Sequence, residues 1–120
     1  MIENLLDTGI LIDIWRNGDA RWKLLDNCLN YISTVTYIEF LQGAKHSQKA
    51  KAEKFLQQYI HVPINTAICS SAIELIRRYA QTEGLRLADS LIAATCLEND
   101  YNLLTLNRKH FQNIADLKLI

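Results

Sequence analysis

One proline, four glycines and three cysteines are all the chain holds of the residues that punctuate or staple a fold. So little Pro and Gly excludes collagen-like and low-complexity architecture. Cys28, Cys69 and Cys96 are odd in number and widely spaced, without a CxxC pair or Cys/His ligand spacing, which argues against a zinc site. They read as free buried thiols in a reducing cytoplasm. Long apolar runs are missing too. The longest, Leu91 to Leu97, is far too short to cross a bilayer. No basic region precedes an apolar stretch near Met1, so no signal peptide is expected. An excess of either charge is also absent, since 13 Lys+Arg balance 13 Asp+Glu. Such a chain does not bind nucleic acid by bulk charge. A local basic patch or a buried acidic site stays open.

What is present is ordinary globular material: 120 residues, 49% hydrophobic and 22% charged. That length predicts one domain over residues 1–120. A chain this size buries about 65% of its unfolded surface and needs no disulfide or structural metal.

Short apolar runs alternate with helical patterns. Strands are expected at Ile2–Leu6, Asn30–Thr34, His61–Ile64, Asn102–Leu106 and Leu117–Leu119. Pro63 marks an edge or a strand end. Helices are expected at Thr8–Trp15, Ala20–Cys28, Thr36–Lys45, Gln48–Gln58, Leu87–Glu98 and, briefly, Lys109–Asn113. The clearest helical stripe is Ile68, Cys69, Ala72, Ile73, Ile76, Tyr79 and Ala80, with Asn65 or Thr66 to cap its start and Gly84 its end. The order predicts an α/β fold: a central parallel sheet of about five strands with helices on both faces. In such sheets the site lies at the carboxyl ends of the strands, near the switch in strand order.

Four polar residues fall at those ends. Asp7 follows the first strand, Glu39 lies about one turn into the helix after the second, Asp89 opens the helix before the fourth, and Asn107 follows the fourth. Crowded carboxylates raise one another's pKa, and a divalent cation removes that penalty. Oxygen donors without Cys or His suit Mg²⁺ or Mn²⁺, which can orient phosphate oxygens and acidify a bound water. Each residue alone also has an ordinary reading: Asp7 as a helix cap, Asp89 as a first-turn acid, Glu39 as a solvated helix residue, Asn107 as a turn residue. Asp13 reads as a solvent-facing structural acid, and Glu74 as a partner for Arg77 or Arg78.

Four blocks resemble PIN domains, in order and at matching spacing. They are Leu5-Leu6-Asp7-Thr8-Gly9-Ile10-Leu11-Ile12-Asp13, Ser33-Thr34-Val35-Thr36-Tyr37-Ile38-Glu39-Phe40-Leu41-Gln42-Gly43, Leu87-Ala88-Asp89-Ser90-Leu91-Ile92-Ala93-Ala94-Thr95 and Leu103-Leu104-Thr105-Leu106-Asn107-Arg108-Lys109-His110-Phe111. The chain looks most like the VapC-type toxins of toxin–antitoxin pairs. The resemblance implies a Mg²⁺- or Mn²⁺-dependent endoribonuclease, with Asp7 and Asp89 on the metal and Glu39 completing the pocket. It also implies a homodimer silenced by a small antitoxin. Many members carry a further carboxylate where this chain has Asn107 and His110, so one tight ion is expected rather than two. His110 is expected to be a surface helix residue, with contact to phosphate as the other reading.

Basic residues suggest where RNA would lie. Arg86, Arg108 and Lys109 flank Asp89 and Asn107 in sequence, and Arg16 is expected near Asp7. Lys45, Lys49, Lys51 and Lys54 form either a solvated polar helix or a strip guiding phosphates. Trp15, Trp22 and Tyr37 are core or interface aromatics that could stack bases. Two other functions fit less well. One is a PIN scaffold that binds RNA or a partner without cutting, which the Asn107 departure motivates. The other is a Mg²⁺-binding phospho-acceptor receiver domain, which lacks its acidic pair after the first strand.

Overall fold

A computed structural model describes all residues, Met1–Ile120. Four strands form one parallel sheet: β1 (Glu3–Leu6), β2 (Leu29–Ser33), β3 (Ile60–Val62) and β4 (Asn102–Leu104), in the order β3-β2-β1-β4. The chain steps outward from β1 to β2 to β3, then returns to place β4 on the other side of β1. The order therefore switches between β1 and β4. A receiver-type sheet would set β1 between β2 and β3; here it lies between β2 and β4.

Strand residues alternate between the two faces, and both faces are covered, so Leu5 and Leu6 are each fully buried. Leu5 and Leu103 meet Ile68, Ala72, Ile92, Cys96 and Phe111 on one side, beneath α4 (Thr66–Glu83) and α5 (Leu87–Asn99). Leu6, Ile32 and Leu104 meet Ile10, Leu11, Phe40, Ala52 and Leu56 on the other, beneath α1 (Thr8–Asn17), α2 (Thr34–Gly43) and α3 (Lys49–Leu56). The middle of the sheet carries one polar line. Buried Asn4 exchanges side-chain hydrogen bonds with its register partners Asn30 and Asn102, each at 3.4 Å. A one-residue slip of either neighbour would leave that amide unpaired, so the asparagines help to set the register.

Several local expectations are revised. The segment Ala20–Cys28 is not an α-helix but a 3₁₀ stretch, Ala20–Leu25, kinked at Trp22 (φ −115°, ψ 32°). The kink accompanies an indole N–H that donates to Asp13 at 2.6 Å. Asp13 is thus not solvent-facing: its side chain is 12% exposed and holds Asn17 and Arg21 as well. The Trp22 and Asn17 donors keep its carboxyl below the usual carboxylate range.

The expected fifth strand shrinks to one parallel bridge, Leu103 to Leu119, on the outer edge of β4. The helix expected over Lys109–Asn113 is a three-residue 3₁₀ turn, Arg108–His110. Of the four lysines at Lys45–Lys54, Lys45, Lys51 and Lys54 are exposed, while Lys49 is tied down. Lys49 Nζ donates to the carbonyls of Leu41 (2.7 Å) and Ala44 (3.0 Å), satisfying the open C-terminus of α2. Of the thiols only Cys96 is buried; Cys28 is half-buried and Cys69 exposed. Burial pushes the Cys96 thiol far up and leaves it a core atom. Asn65 and Gly84 do cap α4, the asparagine by accepting the Ile68 N–H at 2.9 Å and the glycine with φ 69°.

Candidate active site

The site is built at the β1/β4 switch. Asp7 directly follows β1, and its backbone N–H donates to Leu104 O at 3.0 Å, which ties it to the end of β4. Its side chain caps α1 through Oδ1, which accepts the Thr8 N–H at 2.8 Å. Oδ2 accepts the Thr105 hydroxyl at 2.7 Å. Asp7 is therefore a cap and more than a cap. Burial pushes its carboxyl above the ordinary value; the bonds from Thr105 and Thr8 oppose this, and the charges of Asp89 and Glu39 add to it. Both acids therefore lie close enough to Asp7 for their charges to be felt there.

Glu39 is exposed on α2, with Oε1 accepting the Thr8 hydroxyl at 2.6 Å. The same threonine thus joins the first two acids. Asp89 stands in the first turn of α5, where Oδ2 accepts the Arg86 backbone N–H at 3.1 Å. It also faces His110 Nδ1 at 3.0 Å. Asn107 reaches the rim through that same ring, its amide lying 2.9 Å from His110 Nδ1. His110 is not a plain surface residue: its side chain is only 31% exposed and lies against an acid of the site.

The predicted basic residues divide. Arg86 precedes α5, exposed, with its backbone on Asp89. Lys109 is exposed beside His110. Arg108 spends one guanidinium N–H on the carbonyl of Ile120 at 2.8 Å, so it also clamps the C-terminal segment. Arg16 does not neighbour Asp7. Nine residues of helix put it about 13 Å further along α1, where it lines a cleft together with Glu39. That cleft, about 390 Å³, adjoins Glu39 and is bounded by Trp15, Arg16, Phe40, Lys45 and Gln48. Trp15 packs edge-on against Phe40 (5.6 Å) and Phe55 (5.2 Å) and keeps 38% of its surface exposed.

Thr8 and Thr105 are the residues that sequence reasoning missed, together with the contact between His110 and Asp89. The two threonines could have been noticed as hydroxyl residues within two positions of the ends of β1 and β4. Nothing short of the fold links His110 to an acid 21 positions away.

No three His, Cys, Asp or Glu side chains stand together as a ready-made metal cage. The donor chemistry still fits Mg²⁺ or Mn²⁺, which commonly take one or two carboxylates and complete their shell with water and phosphate. A half-buried carboxylate of raised pKa near two further acids is what such a cation would stabilise.

The model of the PIN domain family matches residues 5–117. Ribonuclease VapC19 of Mycobacterium tuberculosis is 32% identical over 120 residues, covering 95% of this chain and 96% of its own. Ribonuclease VapC1 of Methanocaldococcus jannaschii is 29% identical, covering 96% of this chain and 83% of its own. Among solved structures, a toxin–antitoxin complex from Klebsiella pneumoniae superposes with a TM-score of 0.81 at 29% identity, over 95% of this chain and 94% of that one.

Proposed function

The chain belongs to the PIN-domain family, and from that premise we propose that it is a Mg²⁺- or Mn²⁺-dependent endoribonuclease, the toxin of a toxin–antitoxin pair, comprising one domain over residues 1–120. One observation supports the chemistry: at the strand-order switch Asp7 has its carboxyl pushed up, first by desolvation and further by the nearby charges of Asp89 and Glu39. The ribonuclease relatives and the toxin–antitoxin complex support the biological role.

Asp7 and Asp89, with Glu39, would hold the cation, which supplies an acidified water and offsets phosphate charge. Thr8 and Thr105 orient Asp7 and Glu39. Glu39 Oε2 has no protein partner and can take the proton of an attacking water. Asn107 holds the far side of the rim through His110. Arg86 and Lys109 offer exposed charge for the flanking phosphates. Arg108 joins them with its remaining donors, and Arg16 reaches RNA only on the Glu39 side. The purified protein with Mg²⁺ or Mn²⁺ should cut RNA, and chelation or Asp89→Asn should stop it. Cleavage by Asp89→Asn at the parent rate would refute the assignment. Lack of cleavage by the parent under any divalent ion would favour the non-cutting scaffold.

The partner is proposed to be a small antitoxin, as in the similar complex. Adding the protein encoded beside this chain to the assay should suppress cleavage; undiminished cleavage would reject it as the antitoxin. A homodimer is also proposed. An apolar groove between α4 and α5, lined by Cys69, Ala72, Ile73, Ile76, Leu87 and Leu91, supports it, with Ile73 55% and Leu87 75% exposed. Sedimentation should give twice the chain mass, reduced to one by Leu87→Glu; a parent of single mass would overturn this reading. No helix is long and apolar enough to cross a membrane, which accords with the proposed cytoplasmic location; exclusive recovery of the native protein in membrane fractions would contradict it.

A further inference from the structure

We propose that His110 is a positioning residue for Asp89: its Nδ1–H holds carboxylate Oδ2 and leaves Oδ1 as the oxygen offered to a divalent cation. The proposal rests on the metal-dependent reading above and extends it to a residue outside the acidic set.

The hydrogen bonds of Asp89 are one-sided. Oδ2 accepts the Arg86 backbone N–H at 3.1 Å and faces His110 Nδ1 at 3.0 Å, so both of its lone-pair directions are used. Oδ1 has no protein partner. No buried side-chain oxygen in the chain is left unpaired, so Oδ1 is open to solvent. A carboxylate gripped at one oxygen cannot rotate freely, and its other oxygen has a fixed direction.

The tautomer follows from the contacts. His110 Nδ1 lies within hydrogen-bond distance of both the Asp89 carboxylate and the Asn107 amide, at 3.0 and 2.9 Å. A bare Nδ1 would set its lone pair against those of Oδ2. A protonated Nδ1 makes a charge-assisted bond. Asn107 then fits with its amide turned so that oxygen, not nitrogen, approaches the ring, an exchange that leaves the amide's shape unchanged. Nδ1–H is present in both the neutral ring of this tautomer and the charged ring, so the positioning does not depend on the charge of His110. The ring is itself held in place. It ends a 3₁₀ turn and is followed by Phe111, which is wholly buried in the core under α4 and α5.

Two measurements on the metal-free full chain and its Mn²⁺ complex test this. Nitrogen-15 NMR of the imidazole at a pH where the ring is neutral should show His110 protonated at Nδ1 and bare at Nε2; the reverse tautomer would overturn the proposal. Mn²⁺ binding, followed by electron paramagnetic resonance without RNA, should weaken about 10- to 100-fold in His110→Ala. His110→Asn sets an amide N–H where Nδ1 stands and should recover most of the loss. His110→Gln sets its amide one bond further out and should not. Equal affinity in His110→Ala and parent would overturn the proposal, as would failure of His110→Asn to recover binding while its thermal midpoint matches the parent. Asp89→Asn keeps the two failures apart. If parent binds Mn²⁺ and Asp89→Asn does not, the metal-dependent reading stands whatever His110 does. A parent that binds no Mn²⁺ overturns both.

Discussion

Asp7→Asn should lose RNA cleavage by about 10²- to 10³-fold or more, the scale on which one preorganised polar group contributes to a site, while keeping the fold. The fold survives because asparagine is among the best helix caps. Its Oδ1 can still accept the Thr8 N–H, and its Nδ2 can donate to Thr105, whose hydroxyl turns from donor to acceptor. Charge is lost, and charge is what a cation needs. Stability should move the other way in metal-free protein. The folded pKa of Asp7 lies above 3.8. The folded chain therefore binds that proton more readily than the unfolded chain. The resulting stabilisation is complete at pH below 3.8 and is lost as pH rises through the folded value. At pH above the folded value the desolvated carboxylate is a net burden that asparagine removes. Thermal melts in chelator should show Asp7→Asn at least as stable as the parent at neutral pH, with that advantage shrinking in acid. A variant unfolded at neutral pH would show that the aspartate is structural, and a variant with parental cleavage would show that it is not in the site.

Phe111→Ala should cost about 3–5 kcal/mol of stability, the usual range for emptying a fully buried phenylalanine position. For a chain of this size that lowers the melting midpoint by about 10–20 °C. Phe111 is 0% exposed and heads the chain's largest fully buried side chains, in contact with the cluster that includes Ile68, Ile92 and Leu103. It also fixes the turn that carries His110. Cleavage should therefore fall even at temperatures where the variant remains folded, since Asp89 would lose its hold on one oxygen. Phe111→Leu, which refills most of the space, should recover most of both properties. A midpoint unchanged in Phe111→Ala would mean that the C-terminal segment is not part of the core.

Asp7 and Glu39 could be placed from the sequence because one follows the first strand and the other lies in the helix after the second, and parallel sheets gather those places on one rim. Asp89 opens a helix that follows another helix, so its place near Asp7 depends on how α5 packs. Their order relative to the sheet followed from the alternation of apolar runs. His110 was not legible. Its contact with Asp89 spans 21 positions and depends on a three-residue turn too short to leave a periodic pattern. Arg16 stands nearer Glu39 than closeness in sequence to Asp7 suggested, because nine residues of helix carry it about 13 Å along α1 into the cleft that Glu39 also lines. The kink at Trp22 escaped pattern reasoning because an indole–carboxylate bond to Asp13 outweighs the helical spacing of Ala20–Cys28. The fifth strand was too weakly periodic to show that one bridge would be all it forms. Tertiary hydrogen bonds decided each of these, and composition does not carry them.

The most direct test of the central claim is to locate the cation on the intact chain. Substoichiometric Mn²⁺ broadens nearby amide signals in NMR spectra. Broadening should centre on Asp7, Thr8, Asp89 and Ser90 at the β1/β4 switch, reach His110, and vanish in Asp7→Asn. Broadening centred on Asp13, Asp100 or Asp116 instead, or unchanged in Asp7→Asn, would contradict a metal-dependent site at this rim.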